Sequence, residues 1–201
     1  MLKIKDLSVT FSKNKVLQNV NYIFKENQFY LIQARNGSGK STLLNAIFSL
    51  VPFQGSIEST LPKKDVFYLP NDYEFDEVMK GREYLEYIKY IWQSDVEIDP
   101  LVEELNMTEY INRRVGGYSL GMRKMLMTAL YMVSDTDCWF VDELNNGLDE
   151  VNLEILVTLL QNEMTKSNKM IVFVTHQPAD LEEIDSIKLT LKGGELIEQA
   201  N

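Results

Sequence analysis

The clearest chemical pattern in the chain is a glycine-rich loop between a predicted strand and a predicted helix. Residues 34–42 read Ala-Arg-Asn-Gly-Ser-Gly-Lys-Ser-Thr; they follow the apolar run 29–32 and precede the mainly apolar stretch 43–48. This is the pattern G-x-x-x-x-G-K-[ST], with Ala34 in place of the first glycine. Because the N–H groups of such a turn and of the new helix converge on one point, the segment predicts a site for a polyphosphate rather than an ordinary glycine-rich turn.

Each part of this loop has an expected task. Lys40 is predicted to reach the outer phosphates of a nucleotide, and the Ser41 hydroxyl is predicted to hold Mg²⁺. Ala34 keeps a small side chain but enters positive φ less readily than glycine, so we expect nucleotide binding with a slightly altered start of the loop. The other loop residues expected to bind the nucleotide are Asn36, Gly37, Ser38, Gly39 and Thr42.

Two carboxylates and the only histidine follow apolar runs elsewhere in the chain. Asp142 and Glu143 come after Cys-Trp-Phe-Val, and His176 comes after Met-Ile-Val-Phe-Val-Thr. Adjacent carboxylates at a strand end can point to different tasks, so Asp142 is expected in the Mg²⁺ shell and Glu143 as the base for an attacking water. Acid pairs and lone histidines also occur without function, but a nearby phosphate loop favours a metal site and a γ-phosphate contact by His176.

A second helix start suited to an anion follows Tyr118. Ser119 is a good N-cap, and the free N–H groups of the following helix give that end a positive potential. Arg123 and Lys124 follow in its first turns, where they would either add to this positive potential or simply be solvated.

Alternating strands and helices position these residues. An α/β fold is predicted for residues 1–201 as a single domain, with a mostly parallel sheet and the ligand at the carboxyl ends of its strands. The predicted strands are 2–11 and 16–24, forming an N-terminal antiparallel β subdomain, then 29–33, 54–59, 66–69, 137–141 and 170–174, with a closing hairpin of 186–191 and 195–198. The predicted helices run from Lys40 to about 51, then 119–133, 151–164 and 178–184.

Residues 71–118 lose the strand pattern and are predicted to form a small helical subdomain. A helix is expected at 82–92, a second at 101–105 and a third capped by Thr108. Tyr87 and Tyr90 extend the apolar stripe of the first helix, either over a wide core face or as a partner surface.

Composition excludes several classes of protein. The 201 residues carry a net charge of −10, which argues against a nucleic-acid partner. The start of the chain has no apolar core of the signal-peptide kind, and about 18 uncharged apolar residues never run together, so no membrane span is predicted. The single cysteine, Cys138, is expected in a buried strand and fits a reducing compartment.

Taken together, the ordered motifs resemble those of the ATP-binding-cassette (ABC) ATPases over essentially the whole chain. Residues 34–42 are similar to the Walker A motif, 138–142 to Walker B, and Glu143 to the general base that follows it. The remaining similarities are 118–122 to the signature motif, 145–149 to the D-loop, Thr175-His176 to the switch histidine, and Phe11 to the aromatic residue that stacks on adenine.

This resemblance implies an ATP- and Mg²⁺-dependent P-loop ATPase that works as a head-to-tail dimer. Each ATP would lie between the Walker A loop of one subunit and Ser119 and Gly121 of the other, in a homodimer or a heterodimer. The resemblance further implies docking on a separate transmembrane permease subunit at the cytoplasmic face of the membrane, with the aromatic-rich segment 67–92 receiving it.

Two further departures from the family pattern accompany Ala34. Leu120 replaces the first signature glycine, and Asn71 replaces the glutamine that links metal and attacking water to the membrane partner. Such variants are similar to those of bacterial exporters of peptides or antibiotics. Lys40, Asp142, Glu143 and His176 are all kept, so a competent ATPase is expected.

Two other functions fit the same motifs. A soluble ABC ATPase could act as an assembly factor or regulator instead of in transport, and a nucleotide-binding subunit could signal without turnover. The presence of Glu143 argues against the second of these.

Overall fold

The computed structural model describes residues 1–166 and 169–199, which fold into two sheets with helices packed on them. The strands are β1 (Leu2–Phe11), β2 (Asn14–Phe24), β3 (Phe29–Ala34), β4 (Gln54–Ser59), β5 (Val66–Leu69), β6 (Cys138–Asp142), β7 (Met170–Thr175), β8 (Ile187–Lys192) and β9 (Glu195–Glu198). The helices are α1 (Lys40–Ile47), α2 (Gly81–Trp92), α3 (Ile98–Glu104), α4 (Leu120–Ser134) and α5 (Glu150–Lys166).

The smaller sheet is antiparallel and has the strand order β2-β1-β4. Strands β1 and β2 form a ribbon that pairs Leu2 with Phe24 at one end and Phe11 with Asn14 at the other. Apolar residues of β1, such as Ile4 and Val9, are buried, so one face of the ribbon packs against the rest of the molecule. The predicted N-terminal antiparallel subdomain is confirmed.

The larger sheet has the order β5-β6-β7-β3-β8-β9 and is parallel except for β9. Its central pairings align Gln33 of β3 with Thr175 of β7, and Asp142 of β6 with Val174 of β7. The carboxyl ends of β3, β6 and β7 therefore meet at one edge. This confirms the predicted α/β fold and explains why the segments following these three strands meet.

The core lies on both faces of this sheet. Successive residues of β7 alternate between them: Ile171 and Phe173 face one apolar cluster, while Val172 and Val174 face the other. The first cluster includes residues from 75 to 118, and the second includes the antiparallel sheet and α1. Because both faces are covered, the central strands are continuous apolar runs without polar alternation.

Several predicted elements differ in detail from the structure. The predicted third helix at Thr108 is wrong: residues 108–113 form turns, in which the Ile111 N–H donates to the Met107 carbonyl. The predicted helix 178–184 is a single 3-10 turn at Pro178–Leu181. Helix α1 ends at Ile47, earlier than the proline at 52 suggested, and Ser49 adopts φ 57° just after it.

Candidate active site

The glycine-rich loop begins within the sheet. Ala34 is the last residue of β3, is buried, and pairs with Leu191 of β8. Its backbone is extended, so the missing first glycine imposes no left-handed strain on this strand residue. Positive φ is needed further along: Gly39 has φ 100°, and a Cβ there would lie 2.9 Å from Val16 Cγ1. Only glycine fits this start of α1 without strain.

Lys40, the first residue of α1, has a buried side chain that folds back over the loop. Its ammonium donates to the carbonyls of Ala34 at 3.4 Å and Arg35 at 3.2 Å, and to Asn36 Oδ1 at 3.0 Å. It also lies 2.7 Å from Glu143 Oε1. A buried cation requires such compensation, and every partner here is an oxygen that a phosphate oxygen could replace.

Asp142 ends β6 and faces the start of α1. The Ser41 hydroxyl donates to Asp142 Oδ2 at 2.9 Å, which joins the two residues predicted to bind metal. Burial raises the pKa of Asp142, the hydrogen bond from Ser41 opposes this, and the charge of Glu143 adds to it. The other oxygen, Oδ1, is buried and has no hydrogen-bond partner within the described part of the chain.

Glu143 points away from Asp142 because its backbone turns. Its φ is 51°, in the left-handed region, and its N–H donates to the carbonyl of Val174 at 2.9 Å. The carboxylate meets Lys40 and, at 3.1 Å from Oε1, His176 Nδ1. Burial would raise the pKa of Glu143, but the hydrogen bonds and charges of Lys40 and His176 outweigh it and lower that pKa. The two adjacent acids thus have separate partners.

These residues fit a polyphosphate with Mg²⁺. The Ser38 hydroxyl in the loop and Asp142 Oδ1 are both buried without a hydrogen-bond partner among residues 1–166 and 169–199. Buried polar atoms of this kind call for a ligand, since leaving them unpaired costs free energy. The Ser41 hydroxyl and the Asp142 carboxylate are also oxygen ligands of the kind that Mg²⁺ takes in proteins.

Comparison with known proteins identifies the family. The family model described as "ABC transporter" matches residues 17–146, which span both the loop and the Asp142–Glu143 pair. The chain belongs to the ABC transporter family. It is an ATPase of that family. The names Walker A, Walker B, signature and D-loop are kept below for the segments that resemble these motifs.

Curated relatives and solved structures agree with this assignment. The manganese transport system ATP-binding protein MntB of Halalkalibacterium halodurans is 28% identical, over 90% of this chain and 79% of its own length. The ABC transporter ATP-binding protein NatA of Bacillus subtilis is 27% identical, over 98% and 88%. The fold is similar to that of an ABC transporter ATP-binding subunit, with TM-score 0.88, 21% identity and coverage of 100% and 90%. It is also similar to a dimeric bacterial ABC transporter cassette, with TM-score 0.81, 22% identity and coverage of 99% and 98%.

The signature segment of this ABC ATPase forms the start of α4. Ser119 is the N-cap, and its Oγ accepts from the Met122 N–H at 3.2 Å. Leu120 is 60% exposed, and its side chain covers Gly147 of the D-loop. A Cβ at Gly147, where φ is 82°, would lie 2.6 Å from Leu120 Cδ2. The large residue in the signature is therefore matched by the absence of a side chain in the D-loop.

The structure contradicts the expectation that Lys124 is solvated. The side chain is buried and donates to Asn71 Oδ1 at 2.5 Å and to the Glu143 carbonyl at 3.1 Å. Burial lowers its pKa, while the carboxylates of Asp142 and Glu143 oppose that change. No stripe on α4 singles out Lys124 in the sequence, because every residue from 124 to 131 is buried.

A second contact absent from the sequence analysis joins the D-loop to the segment after His176. Asn145 is buried, and its side-chain amide donates to Asp180 Oδ2 at 2.7 Å and to the Gln177 carbonyl at 3.3 Å.

Phe11 is an exposed ring at the end of β1 and takes no part in these contacts. An exposed ring can stack on a base, so its proposed adenine contact stays a prediction.

The segment 67–92 is only partly a surface. Phe67 and Tyr84 are buried in the core, whereas Tyr87, Tyr90 and Ile91 on α2 are exposed, Tyr90 by 82%. These three residues are called the α2 patch below. Within this segment, Tyr73 and Val78 before α2 are also exposed, so the predicted partner surface is reduced to these two residues and the second half of α2.

Proposed function

We propose that this chain is the ATP-binding and ATP-hydrolysing subunit that powers an ABC transporter, docked on a separate permease at the cytoplasmic face of the membrane. The observation that carries the enzymatic part is the convergence of Lys40, Ser41, Asp142, Glu143 and His176 at one sheet edge. None of the helices within the described ranges is long and apolar enough to cross a membrane.

The residues of the cluster have distinct proposed roles in hydrolysis. Mg²⁺, which would neutralise phosphate charge, would be held by Ser41 and Asp142, with Asn71 as a further proposed ligand. Lys40 exchanges its loop oxygens and Glu143 for the outer phosphates. The backbone N–H groups of loop residues 36–42 bind the phosphates. Phe11 stacks on the adenine.

Glu143 and His176 act on the reacting groups. Once Lys40 has moved to the phosphates, Glu143 accepts a proton from the attacking water as the water oxygen bonds to the γ-phosphorus. The bond from that phosphorus to the oxygen bridging to the β-phosphate breaks, and ADP leaves. His176 contacts the γ-phosphate and, through its bond to Glu143, holds the carboxylate in place. Of the two groups that lower the pKa of Glu143, His176 would stay in contact with the carboxylate after Lys40 has moved.

A second cassette completes the site. The start of α4, with Ser119 and Gly121, carries the positive end of a helix and is exposed at Ser119, which suits it to the γ-phosphate bound by another subunit. The second cassette is another copy of this chain, with a related subunit as the alternative. ATP would close the pair and hydrolysis would open it.

The permease surface is proposed at a groove beside the α2 patch. This groove has a volume of about 530 Å³ and lies between the ends of α1 and α2; its lining includes Leu50, Phe53, Leu61, Tyr68 and Trp92. Leu50 is itself exposed. Exposed apolar side chains around a concave site are typical of a surface that binds a partner segment.

A finer proposal concerns the cargo. The segment Tyr-Ser-Leu-Gly-Met at 118–122 and Asn71 are similar to variants in bacterial exporters of peptides or antibiotics, and we take this as the transporter class. Its support is this similarity alone; the relatives named above include a manganese transport system.

Co-purification tests the transport function. The tagged chain is isolated from detergent-solubilised membranes of its native cells, and co-purification of an integral membrane protein is expected. Tyr90→Glu should release that protein, while the control Ile197→Glu, at an exposed position on β9, should not. A chain that stays soluble with no membrane protein attached contradicts transport and supports an assembly factor or regulator.

A further inference from the structure

Helix α4 contains a buried ammonium group for which the proposed hydrolysis needs no role. Lys124 is 4% exposed, although its neighbour Arg123 is partly exposed and lies 4.0 Å from Glu77. Removing an ammonium from water is costly unless its donors find acceptors. Its position therefore depends on the groups that accept its hydrogen bonds.

Those acceptors come from two other segments of the chain. Asn71 Oδ1, at 2.5 Å, belongs to the loop that leaves β5, and the Glu143 carbonyl, at 3.1 Å, belongs to the turn that leaves β6. Lys124 itself belongs to the signature helix. One side chain thus connects the loop facing α2, the signature helix and the turn that carries the proposed base.

The Glu143 peptide is fixed on both sides by these contacts. Its N–H donates to Val174, and its carbonyl accepts from Lys124. The left-handed backbone at φ 51° is uncommon for a glutamate and persists where its surroundings hold it. Because the carboxylate direction follows from this backbone, loss of the Lys124 contact would remove one of the two peptide hydrogen bonds that aim the carboxylate at Lys40 and His176.

We propose that Lys124 is a positioning residue for ATP hydrolysis that links Asn71 to the backbone of Glu143. The proposal rests on the proposed function, because it concerns the residue that holds the proposed base Glu143 in place. Lys124 contacts neither nucleotide nor permease in this account. It acts only through the two oxygens that it binds.

Substitution of Lys124 tests this role. Lys124→Met keeps the length of the side chain and removes its donors, and it is expected to lower kcat by about tenfold or more, because small misplacements of reacting groups cost rates of this order. The dissociation constant for ATP should change by less than about twofold, since Lys40 and the loop remain. Lys124→Gln, which retains one donor group, should recover part of kcat.

A second buried lysine is the matched control. Lys169 is also buried; it donates to the Thr136 carbonyl at 2.8 Å and pairs with Glu163 at 3.3 Å, among residues that take no part in the proposed chemistry. Lys169→Met should lower the melting temperature as Lys124→Met does but leave kcat unchanged. Equal losses of kcat in both variants would mean that Lys124 is only structural.

A double-mutant cycle with Asn71→Ala completes the test. If Lys124 and Asn71 act through one contact, the kcat of the double variant should lie well above the product of the single effects. Independent effects, or a kcat for Lys124→Met within about twofold of wild type, would overturn the proposal. The cycle uses the purified chain and needs no permease, whereas co-purification from native membranes tests the transport function separately. Independent effects of Lys124 and Asn71 in a chain that does co-purify with a membrane protein contradict this proposal alone. Coupled effects in a chain that co-purifies with no membrane protein contradict the transport function alone.

Discussion

The ammonium of Lys40 lies 2.7 Å from Oε1 of Glu143, and both side chains are buried. The residue proposed to bind the outer phosphates is therefore paired with the residue proposed to activate water. A phosphate that took this ammonium would also release the proposed base, so the proposed roles couple nucleotide binding to release of Glu143. In the structure, each charge of the pair compensates the burial of the other.

The first prediction concerns Glu143→Gln. Hydrolysis should fall by about 100-fold or more, the usual contribution of a general base. ATP should bind as tightly as in wild type or more tightly, because a neutral amide competes less strongly for Lys40. Phosphate release and equilibrium ATP binding measure the two effects, with exposed Glu195→Gln as the control. Hydrolysis at the wild-type rate would remove Glu143 from the mechanism.

The second prediction concerns His176 and pH. Lys40 and His176 together hold the pKa of Glu143 below its usual value, so loss of His176 should let that pKa rise. The base works only when it is ionised. In His176→Ala, the acidic limb of the plot of kcat against pH should therefore move to higher pH. The adjacent Gln177→Ala should leave the limb in place. A limb that stays or moves to lower pH in His176→Ala contradicts the role of this contact.

The third prediction concerns the stability of the metal-free protein. Burial raises the pKa of Asp142 above its unfolded value, so the ionised carboxylate destabilises the fold. That penalty is absent below the unfolded pKa and complete above the raised folded pKa. At neutral pH, Asp142→Asn should raise the free energy of unfolding by about 1 kcal/mol, since it removes a buried charge with an unpaired oxygen.

Chemical denaturation without nucleotide or Mg²⁺ measures this effect. The same variant should lose Mg²⁺-dependent hydrolysis, because Asp142 is the proposed carboxylate ligand. A variant that is both less stable and fully active would show that Asp142 is a structural residue.

The fourth prediction concerns the contact between the signature and the D-loop. Gly147→Ala places a Cβ 2.6 Å from Leu120 Cδ2 at a φ of 82°, and it should destabilise the protein by about 1–2 kcal/mol. Adding Leu120→Gly should recover the steric part of this loss and leave the backbone part. Gly117→Ala, with no atom within 4 Å of the new Cβ, is the control. Additive losses in the double variant would contradict the pairing.

Much of the fold and the cluster followed from local sequence. The loop at 34–42 and the apolar runs before Asp142 and His176 predict parallel strands that end at one edge, and the structure has this arrangement. Such signals are strong because each motif contains both the strand and the residue that follows it. The roles assigned to these residues stay predictions.

Features that depend on tertiary contacts were not predictable. Thr108 is a good N-cap residue, but the segment that follows it forms only turns between α3 and α4. Lys124 follows an arginine and looked solvated, yet acceptors from two distant segments bury it. The fit of Leu120 over Gly147 joins residues from separate motifs, and no local pattern in either one indicates the other.

Each nucleotide site is proposed to be shared by two copies of the chain, and mixing two inactive variants tests this sharing. Lys40→Ala disables the Walker A side; Ser119→Asp keeps an N-cap but places a negative charge against the phosphate of the partner. Each variant alone should be inactive. An equal mixture should hydrolyse ATP at about a quarter of the wild-type rate, because half of the dimers are mixed and one of their two sites is intact. A mixture no more active than its separate components would contradict the shared site.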